Sequence, residues 1–421
     1  MTPTGYSEDS LIEQPAIELL KELGWEHING FHETMGSEGT LGRDNQSEVV
    51  LRKHLLPAFS RLNPDLPSEA FDLALEELNR DRSRLSMPAA NREIYKHLRD
   101  GLKVRLPDPE DNGERVETVR LIDWDDYANN DFLLVSQFWV VGEMYTRRAD
   151  LVGFVNGIPL IFMELKASHK QVETAYRGNL SDYKDTISHL FWFNAFILLS
   201  NGSETKIGSI TSDWGHFNDW KKINSEGEEG IISLETALRG TCEPSRLLDI
   251  VENFTIFMEA RGGIIKAVAK NHQYLGVGNA MDALQEIKDR EGRLGVFWHT
   301  QGSGKSISMI FFSQKVLRKI PGNWTFVIVT DRQELDGQIY KTFASAGVIT
   351  EGHCQADSSR DLRRLLTEDH RFVFTLIHKF DGPVKSHAAF LQVLVLDSVA
   401  ALKIVLSQCL VLMKRSLTVI I

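Results

Sequence analysis

The sequence predicts an α/β protein with two domains, residues 1–250 and residues 251–421. In the first domain, two apolar strands meet at Asn156-Gly157 among segments with helical periodicity, which indicates a mixed sheet flanked by helices. In the second, a strand at 294–299 runs into a glycine-rich turn and a helix, as in parallel sheets. A chain of 421 residues is long enough for two or three hydrophobic cores.

Helices and strands of the first domain follow from the spacing of apolar residues. Helices are predicted at residues 10–23, 48–59, 68–78, 91–100 and 171–190. Strands are predicted at residues 118–124, 131–145, 150–166 and 193–200. We place the domain boundary within residues 247–258, which form either a helix or an extended linker.

The charge balance limits how the protein could meet nucleic acid. A formal net charge of −11 argues against coating DNA through bulk charge, although a local DNA channel remains compatible with it. Basic side chains gather in two groups, which indicate either DNA contacts or solvated helix faces: Arg80, Arg82 and Arg84, and Arg92, Lys96, Arg99, Lys103 and Arg105.

Cysteine usage and the chain ends give expectations about the compartment. The three cysteines are odd in number, far apart and without metal-ligand spacing: Cys242, Cys354 and Cys409. We therefore expect no disulfide framework and no zinc site, and a cytoplasmic location. The N-terminus lacks the pattern of a secretion signal. The apolar tail is too interrupted by charges to predict a membrane span: Asp397, Lys403 and Lys414.

The central hairpin of the first domain is predicted at residues 150–166, with its turn at Asn156-Gly157. Asn and Gly tolerate the positive φ that a tight turn demands. Glu164 and Lys166 are two residues apart on one strand, so their side chains project from the same face. Whether Asp150 shares that face depends on the length of the turn.

Two turn lengths place Asp150 on opposite faces of the sheet. With a two-residue turn, Asp150 pairs with Met163 and lies on the other face from Glu164. With a three-residue loop, Val155 pairs with Pro159 and Asp150 lies directly opposite Glu164. We expect the second register, because the strand is apolar on both faces and is therefore interior. Charges on an interior strand are costly unless a specific interaction compensates them.

Two carboxylates brought together on interior strands repel each other unless a divalent cation joins them. A nearby lysine is a natural partner for an attacking water or a developing phosphorane charge. Asp150, Glu164 and Lys166 therefore predict a metal-dependent phosphodiester hydrolase. The alternative is an edge-strand Glu-x-Lys charge pair with no catalytic role.

The segments Arg-Ala-Asp150, Asn-Gly-Ile-Pro and Glu164-Leu-Lys166 resemble the PD-(D/E)xK nuclease core of the restriction (R) subunit of type I restriction-modification enzymes. The Asn-Gly-Ile-Pro-Leu hairpin makes the match specific to that family. The resemblance implies a PD-(D/E)xK endonuclease domain over residues 1–250. It also implies that Asp150, Glu164 and the Leu165 carbonyl bind Mg²⁺, while Lys166 orients or activates water.

Two further positions are assigned roles by the resemblance. The family has Gln-x-x-x-Tyr after the hairpin, used to position DNA cleavage, and this chain has Asn179 and Tyr183 there, four apart on one helix face. The Asn179 side chain is a methylene shorter than glutamine. A first-helix glutamate often approaches the metal in nucleases of this fold, which makes Glu13 a candidate ligand. The alternative for Glu13 is a solvated helix flank.

The second domain carries a phosphate-binding motif, in which a strand, a glycine-rich turn and a helix at 307–319 follow one another. Backbone N–H groups and the helix N-terminus wrap the phosphates of ATP, the lysine meets the β and γ oxygens, and the serine reaches Mg²⁺. The residues predicted to bind the nucleotide here are Gly302, Ser303, Gly304, Lys305 and Ser306.

This motif resembles that of superfamily 2 helicases, with His299 in place of the usual leading glycine. In that superfamily, and in the type I R subunit, an upstream glutamine reads adenine, which implies this role for Gln273. Strands are predicted at residues 324–329 and 372–377. The resemblance thus implies a RecA-like lobe with a parallel sheet.

The resemblance ends near residue 388. The family has Asp-Glu-Ala-His after its next strand, where Asp orients Mg²⁺ and Glu activates water. The only candidate strand ends at Asp397, and Ser398 stands where that Glu is required. The tail, about 388–421, no longer follows the family pattern. Our hypothesis is an R subunit truncated within its first helicase lobe, with a frameshift as one origin.

The implied function is that of a type I restriction endonuclease R subunit, in which ATP-driven translocation precedes Mg²⁺-dependent cutting of double-stranded DNA. The implied partners are the modification (M) and specificity (S) subunits, which supply sequence recognition. The alternative is an inactive fragment that binds ATP or the modification complex. A stand-alone nuclease similar to Mrr is a third option, which the phosphate-binding motif disfavours.

Overall fold

A computed structural model of the chain describes residues 12–108, 113–290, 292 and 294–380, together with short strands at 388–389, 410–411 and 417–420. The chain divides into two compact units. The first unit holds residues 1–255 and 264–271, and the second holds residues 256–263 and 272–421. Both units mix helices and strands, as the sequence predicts for an α/β protein.

Eight α-helices are described in the first unit: α1 Gln14–Glu22, α2 Arg52–Leu62, α3 Ser68–Asn79, α4 Met87–Asp100, α5 Ser181–Thr186, α6 Ser188–Phe191, α7 Leu234–Thr241 and α8 Pro244–Asn253. A π-helical turn at Ala175–Leu180 leads into α5. The single helix predicted at 171–190 is therefore wrong, since this segment is divided in three. The helix predicted at 48–59 begins later, because Leu51 is held in an extended conformation by a hydrogen bond from its N–H to Gly157.

Eight strands precede residue 209 in the same unit: β1 Glu26–Asn29, β2 Leu102–Pro107, β3 Glu114–Val119, β4 Phe132–Val141, β5 Thr146–Val155, β6 Ile158–Leu165, β7 Phe196–Ser200 and β8 Thr205–Gly208. Six of them form one sheet in the order β1-β4-β5-β6-β7-β8. Because β1 pairs with β4 and β6 with β7 in parallel, while the other pairs are antiparallel, the predicted mixed sheet is confirmed. Strand β6 is buried at every position.

Strands β2 and β3 form a separate antiparallel hairpin. Strand β2 is not predicted from the sequence. The strand predicted at 118–124 is wrong, because β3 ends with its pairing to β2 at Val119. Burial alternates along β2, so Lys103 and Arg105 project to solvent from a strand. The predicted helix face for these two residues is therefore wrong.

The turn between β5 and β6 differs from the predicted three-residue loop. Val155 pairs with Ile158, so the turn has only two residues, Asn156 and Gly157, with φ angles of 50° and 79°. The register then shifts at Gly153/Phe154, because β6 contains one extra residue, Leu160, that opposes no partner. A β-bulge thus produces the one-residue shift in register that the longer loop was expected to produce.

The second unit contains the helices α9 Asn271–Gln285, α10 Lys305–Lys319, α11 Gln333–Ser345 and α12 Ser359–Thr367. Two strands come where the chain passes between the units, β9 Thr255–Ala260 and β10 Gly263–Val268, and they are followed by β11 Trp324–Thr330 and β12 Phe372–Leu376. Three short strands complete the described part: β13 Ala388–Ala389, β14 Leu410–Val411 and β15 Leu417–Ile420. A parallel sheet has the order β12-β11-β15.

The strand predicted at 294–299 is not formed, and these residues have no regular secondary structure. Both edges of β11 are already paired, with β12 and with β15. Gly295 has a φ of 132°, and Val296 and Trp298 are 61% and 80% exposed, so the segment lacks the extended, buried character of an interior strand. The strand predicted to end at Asp397 lies outside the described residues.

Candidate functional site

Asp150 and Glu164 occupy opposing positions on neighbouring strands. Leu151 pairs with Met163, so the next pair in this register is Asp150 with Glu164. Residues directly opposite each other in an antiparallel pair project from the same face. The predicted opposition of the two carboxylates is therefore present, although a bulge produces it and not a longer loop.

The two carboxylates lie in different environments. Asp150 is half-buried, and its Oδ2 accepts a hydrogen bond of 2.8 Å from the backbone N–H of Leu165. Glu164 is only 1% exposed. A carboxylate that is this deeply buried is costly unless it is paired, and Lys166 provides a partner, because its Nζ lies 2.7 Å from the Glu164 Oε1.

Lys166 follows directly after β6 and is held there by the neighbouring strand. Its backbone N–H donates a hydrogen bond of 2.8 Å to Ser200 at the end of β7. Its side chain is 12% exposed. The ammonium group is thus placed on the same side of the sheet as Glu164, at the rim of the site.

Tyr183 and Asn179 lie beside these carboxylates. The Tyr183 hydroxyl donates a hydrogen bond of 3.0 Å to the carbonyl of Arg148, two residues before Asp150 on β5. Burial, together with the negative charges of Glu164 and Asp150, raises the pKa of the Tyr183 phenol, while a hydrogen bond from Asn179 opposes that rise. Tyr183 is therefore protonated at neutral pH and acts as a hydrogen-bond donor. The π-helical turn that holds Asn179 precedes α5, which holds Tyr183.

Glu13 is buried at the start of α1, so the alternative of a solvated helix flank is wrong. Its Oε2 accepts a hydrogen bond of 2.8 Å from the Gln137 side-chain amide. Within the described residues, the groups of three potential metal ligands with all ligand atoms within 4.8 Å of one another are Glu77, Glu93 and His97, and His353, Asp357 and Asp361. Glu13 therefore does not share one such compact group with Asp150 and Glu164.

Gln137 is a residue that the sequence analysis missed. It interrupts the apolar strand β4 together with Ser136, and that break in an otherwise apolar run was a usable signal. The pairs on either side of it, Ser136 with Leu151 and Phe138 with Ala149, place Gln137 opposite Asp150.

The donor set fits a divalent cation that prefers oxygen ligands. Asp150 and Glu164 would hold it, with the Leu165 carbonyl as the predicted backbone ligand, and this is the ligand chemistry that Mg²⁺ favours. Lys166 compensates part of the negative charge of the pair. No nitrogen or sulfur ligand is required.

The basic residues considered for DNA contact differ in burial and in their ion pairs. Arg82 is 1% exposed and bonds to Glu77, Glu93 and the carbonyls of Leu78 and Arg80, so neither DNA contact nor a solvated face describes it. Arg80 remains half-exposed and pairs with Glu77 and Glu93. The first basic group therefore belongs largely to a structural ion-pair network.

The glycine-rich turn of the second unit leads directly into α10. Gly302 and Gly304 have φ angles of 79° and 89°, a conformation that favours glycine, and α10 begins at Lys305. The Lys305 Nζ lies 3.1 Å from the carbonyl of His299, so it folds back over the turn. Ser306 occupies the first turn of α10. The predicted nucleotide-binding residues thus form one continuous turn with Ser303 between the glycines.

Gln273 reaches this turn from α9. Its side chain is 3% exposed, and its Nε2 donates a hydrogen bond of 3.0 Å to the carbonyl of Gly304. His272 approaches the same turn, with its Nε2 at 3.0 Å from the Ser303 carbonyl. The Gln273 side chain is therefore buried against the turn and does not face solvent.

None of the helices in the described part of the chain is long and apolar enough to span a membrane.

Two protein families match different parts of the chain. Residues 5–216 match the type I restriction enzyme R protein N terminus, and residues 272–408 match the SWI2/SNF2 ATPase family. The first match covers the hairpin with Asp150 and Glu164, and the second covers the glycine-rich turn.

Curated relatives give the same assignment. The chain is 36% identical over 386 residues to the type I restriction enzyme HindI endonuclease subunit of Haemophilus influenzae, covering 88% of this chain and 36% of that protein. It is 30% identical over 420 residues to the putative type I restriction enzyme MjaIXP endonuclease subunit of Methanocaldococcus jannaschii, covering 91% of this chain and 38% of that protein. The chain thus spans a little over a third of the length of these relatives, and it belongs to the family of type I restriction enzyme R subunits.

Proposed function

We propose that this chain carries the DNA-cleaving site and an ATP-binding site of a type I restriction endonuclease. The first unit is interpreted as a PD-(D/E)xK nuclease domain and the second as the beginning of a RecA-like helicase lobe. The observation that supports the nuclease site most is the β5–β6 register, which brings Asp150 opposite Glu164 and leaves Lys166 bonded to Glu164.

In this proposal Asp150 and Glu164 hold Mg²⁺. When bound there, Mg²⁺ would polarise a phosphoryl oxygen and lower the pKa of a coordinated water. Lys166 orients the attacking water and stabilises negative charge that develops on the phosphorus oxygens. The Tyr183 hydroxyl donates a hydrogen bond to the Arg148 carbonyl on β5. Together with Asn179, Tyr183 thereby keeps the segment after the hairpin in place against the strand that carries Asp150.

The second site is proposed to bind ATP. The backbone N–H groups of Gly302, Ser303 and Gly304 would hold the phosphates. Lys305, now bonded to the His299 carbonyl, would supply positive charge for the phosphate oxygens, and Ser306 would supply a hydroxyl ligand for Mg²⁺. Gln273 is proposed to contact adenine while remaining anchored on the turn. The relatives are endonuclease subunits of type I systems, which suggests double-stranded DNA as substrate, M and S subunits as partners, and ATP-driven translocation in the full-length family.

The test is cleavage of unmodified plasmid by the full chain combined with M and S subunits of its own system, with Mg²⁺ and ATP. Four proteins are compared: the wild type, Asp150→Ala, Lys305→Ala and the control Lys341→Ala, which changes an exposed lysine on α11. We expect Asp150→Ala to remove cleavage at any ATP concentration, and Lys305→Ala to remove binding of fluorescent ATP. Equal cleavage by the wild type and Asp150→Ala would refute the nuclease assignment. If none of the four proteins, including the wild type, cleaved the plasmid, the result would instead favour a subunit that binds without cleaving.

A further inference from the structure

Gln137 has a backbone conformation that is rare for a residue with a side chain. Its φ is 56°, in the left-handed region, although it lies in the middle of the ten-residue strand β4. The strand pairing is unbroken on both sides, because Ser136 pairs with Leu151 and Phe138 pairs with Ala149 in one register. The distortion is therefore confined to Gln137. It inserts no extra residue into β4, whereas the bulge inserts one into β6.

Such a conformation persists only where its surroundings hold it, and residues of this kind cluster at functional sites. The contact made by the Gln137 side chain is with Glu13, whose Oε2 lies 2.8 Å from the Gln137 Nε2. Glu13 is 7% exposed, so this hydrogen bond to a carboxylate is protected from solvent. The backbone of Gln137 thus directs its amide toward a buried acid.

The start of α1 contacts the chain on both sides of the two strands that carry the site. Glu13 contacts Gln137 on β4, while its neighbour Ile12 lies 3.5 Å from the place that a Cβ on Gly202 would occupy, just after β7. In the sheet, β5 and β6 lie between β4 and β7. The start of α1 therefore contacts β4 at Gln137, which opposes Asp150, and the chain just after β7 at Gly202.

We propose that Gln137 is a positioning residue, which uses its left-handed backbone to hold the Glu13 carboxylate beside the Asp150–Glu164 pair, where it strengthens the binding of a divalent cation. Glu13 acts from outside the pair, because the three carboxylates do not form one compact ligand group. This inference rests on the proposed metal site. It adds a residue on β4 to a site otherwise built from β5 and β6.

The experiment measures Mn²⁺ binding to the metal-free full chain by titration calorimetry, with thermal unfolding as a second readout. Gln137→Gly is the informative variant, because glycine adopts a φ of 56° without strain but has no amide. We expect it to weaken Mn²⁺ binding about 5- to 20-fold. The relieved backbone strain should offset most of the cost of removing this donor from the buried Glu13 carboxylate, so the Tm should stay within about 4 °C of the wild type. Gln171→Gly, at an exposed glutamine, is the control and should change neither quantity.

A double variant separates positioning from general damage. If Gln137 acts through Glu13, then Glu13→Gln should weaken Mn²⁺ binding, and adding Gln137→Gly to it should cause no further loss. Additive losses would overturn the proposal, as would unchanged Mn²⁺ binding in Gln137→Gly, or a fall in its Tm of more than about 4 °C that accompanies the loss of binding.

Asp150→Ala shows which of the two proposals has failed. If that variant still binds Mn²⁺ like the wild type, the metal site itself is wrong. If Asp150→Ala loses Mn²⁺ while Gln137→Gly keeps it, only the role of Gln137 is refuted.

Discussion

The carboxylate of Asp150 accepts a hydrogen bond of 2.8 Å from the backbone N–H of Leu165, the residue between Glu164 and Lys166. One side chain of β5 is thereby fixed to the strand that carries the other two charged residues. The bond orients the Asp150 carboxylate and restrains the C-terminal end of β6, between buried Glu164 and partly exposed Lys166. The position of each group therefore depends on the others.

Asp150→Asn should separate the charge of Asp150 from its hydrogen bond. The asparagine oxygen can still accept the bond from Leu165, so we expect a Tm within about 2 °C of the wild type, since the effect on stability should be well under 1 kcal/mol. Loss of the negative charge should lower Mg²⁺-dependent cleavage at least about 100-fold, because a ligand of the cation is lost. Asp150→Ala should lose both stability and cleavage. Full cleavage by Asp150→Asn would show that this charge is not needed.

Lys166→Met should make the stability of the first unit depend on metal. The Glu164 carboxylate, 1% exposed, would lose its ammonium partner, and breaking a buried ion pair in this way costs about 3–5 kcal/mol. We expect a loss of this order in urea unfolding with a chelator, and partial recovery when Mg²⁺ is added, because the cation then neutralises Glu164.

The matched control for Lys166→Met is Lys170→Met, which changes an exposed lysine four residues further along the chain. It should shift the urea midpoint little, with or without Mg²⁺. A Lys166→Met variant as stable in chelator as this control would contradict the importance of the ion pair.

The sequence was sufficient to predict that Asp150 faces Glu164, but not how the chain achieves it. Face alternation and the cost of burying charge constrain where two acids on interior strands can lie. The bulge at Leu160 leaves no such mark, since an additional apolar residue in an apolar strand keeps the composition unchanged. Here the Leu160 carbonyl accepts a hydrogen bond of 2.6 Å from the N–H of Ala195, a partner 35 positions away that local pattern does not reveal.

The same limit explains the other errors. The strand expected at 294–299 is not formed, and the two edges of β11 pair with β12 and β15, which are distant in sequence and therefore outside any local pattern. The burial of Arg82 is not predictable from local pattern, because its half-buried partners, Glu77 and Glu93, come from two different helices. Sequence patterns identified the chemical groups, and tertiary packing decided which of them reach the surface.

Gly157→Ala should destabilise the hairpin. Gly157 has a φ of 79°, and a Cβ there would lie 2.5 Å from the carbonyl oxygen of Leu51, a backbone atom that cannot easily move aside. Strain and overlap together should cost about 2–4 kcal/mol in the free energy of unfolding, measured with urea.

Gly178→Ala is the matched control for the hairpin variant. A Cβ at Gly178 would meet no heavy atom within 4 Å, and φ there is not in the left-handed region. We expect its unfolding free energy to stay within about 1 kcal/mol of the wild type. Equal effects of the two substitutions would mean that the turn does not need glycine.

Lys266 should make stability depend on pH in the alkaline range. Its Nζ lies 3.0 Å from the Asn91 Oδ1 and 2.5 Å from the Asn194 carbonyl, and burial lowers its pKa to about 7. The residues that line the small cavity around it include no carboxylate: Asn91, Tyr95, Leu98, Phe193, Asn194, Ala195, Val251 and Thr255.

The sign of the effect follows from proton binding. The unfolded lysine keeps its proton up to its ordinary pKa near 10.5, whereas the folded one releases it above about 7. Between these values the unfolded state binds more protons, so raising the pH stabilises the folded state by at most about 1.4 kcal/mol per pH unit. Below pH 7 both states are protonated, and the full penalty of burying the charge remains.

Lys266→Met should remove this dependence. Comparing urea unfolding of the wild type and Lys266→Met at pH 7 and pH 9, we expect the wild type to gain about 2 kcal/mol relative to the variant. Lys103→Met, on the exposed face of β2, is the control and should follow the wild type at both pH values. Parallel pH profiles for the wild type and Lys266→Met would show that the ammonium keeps its proton inside the folded protein, held by the Asn194 carbonyl and the Asn91 side chain.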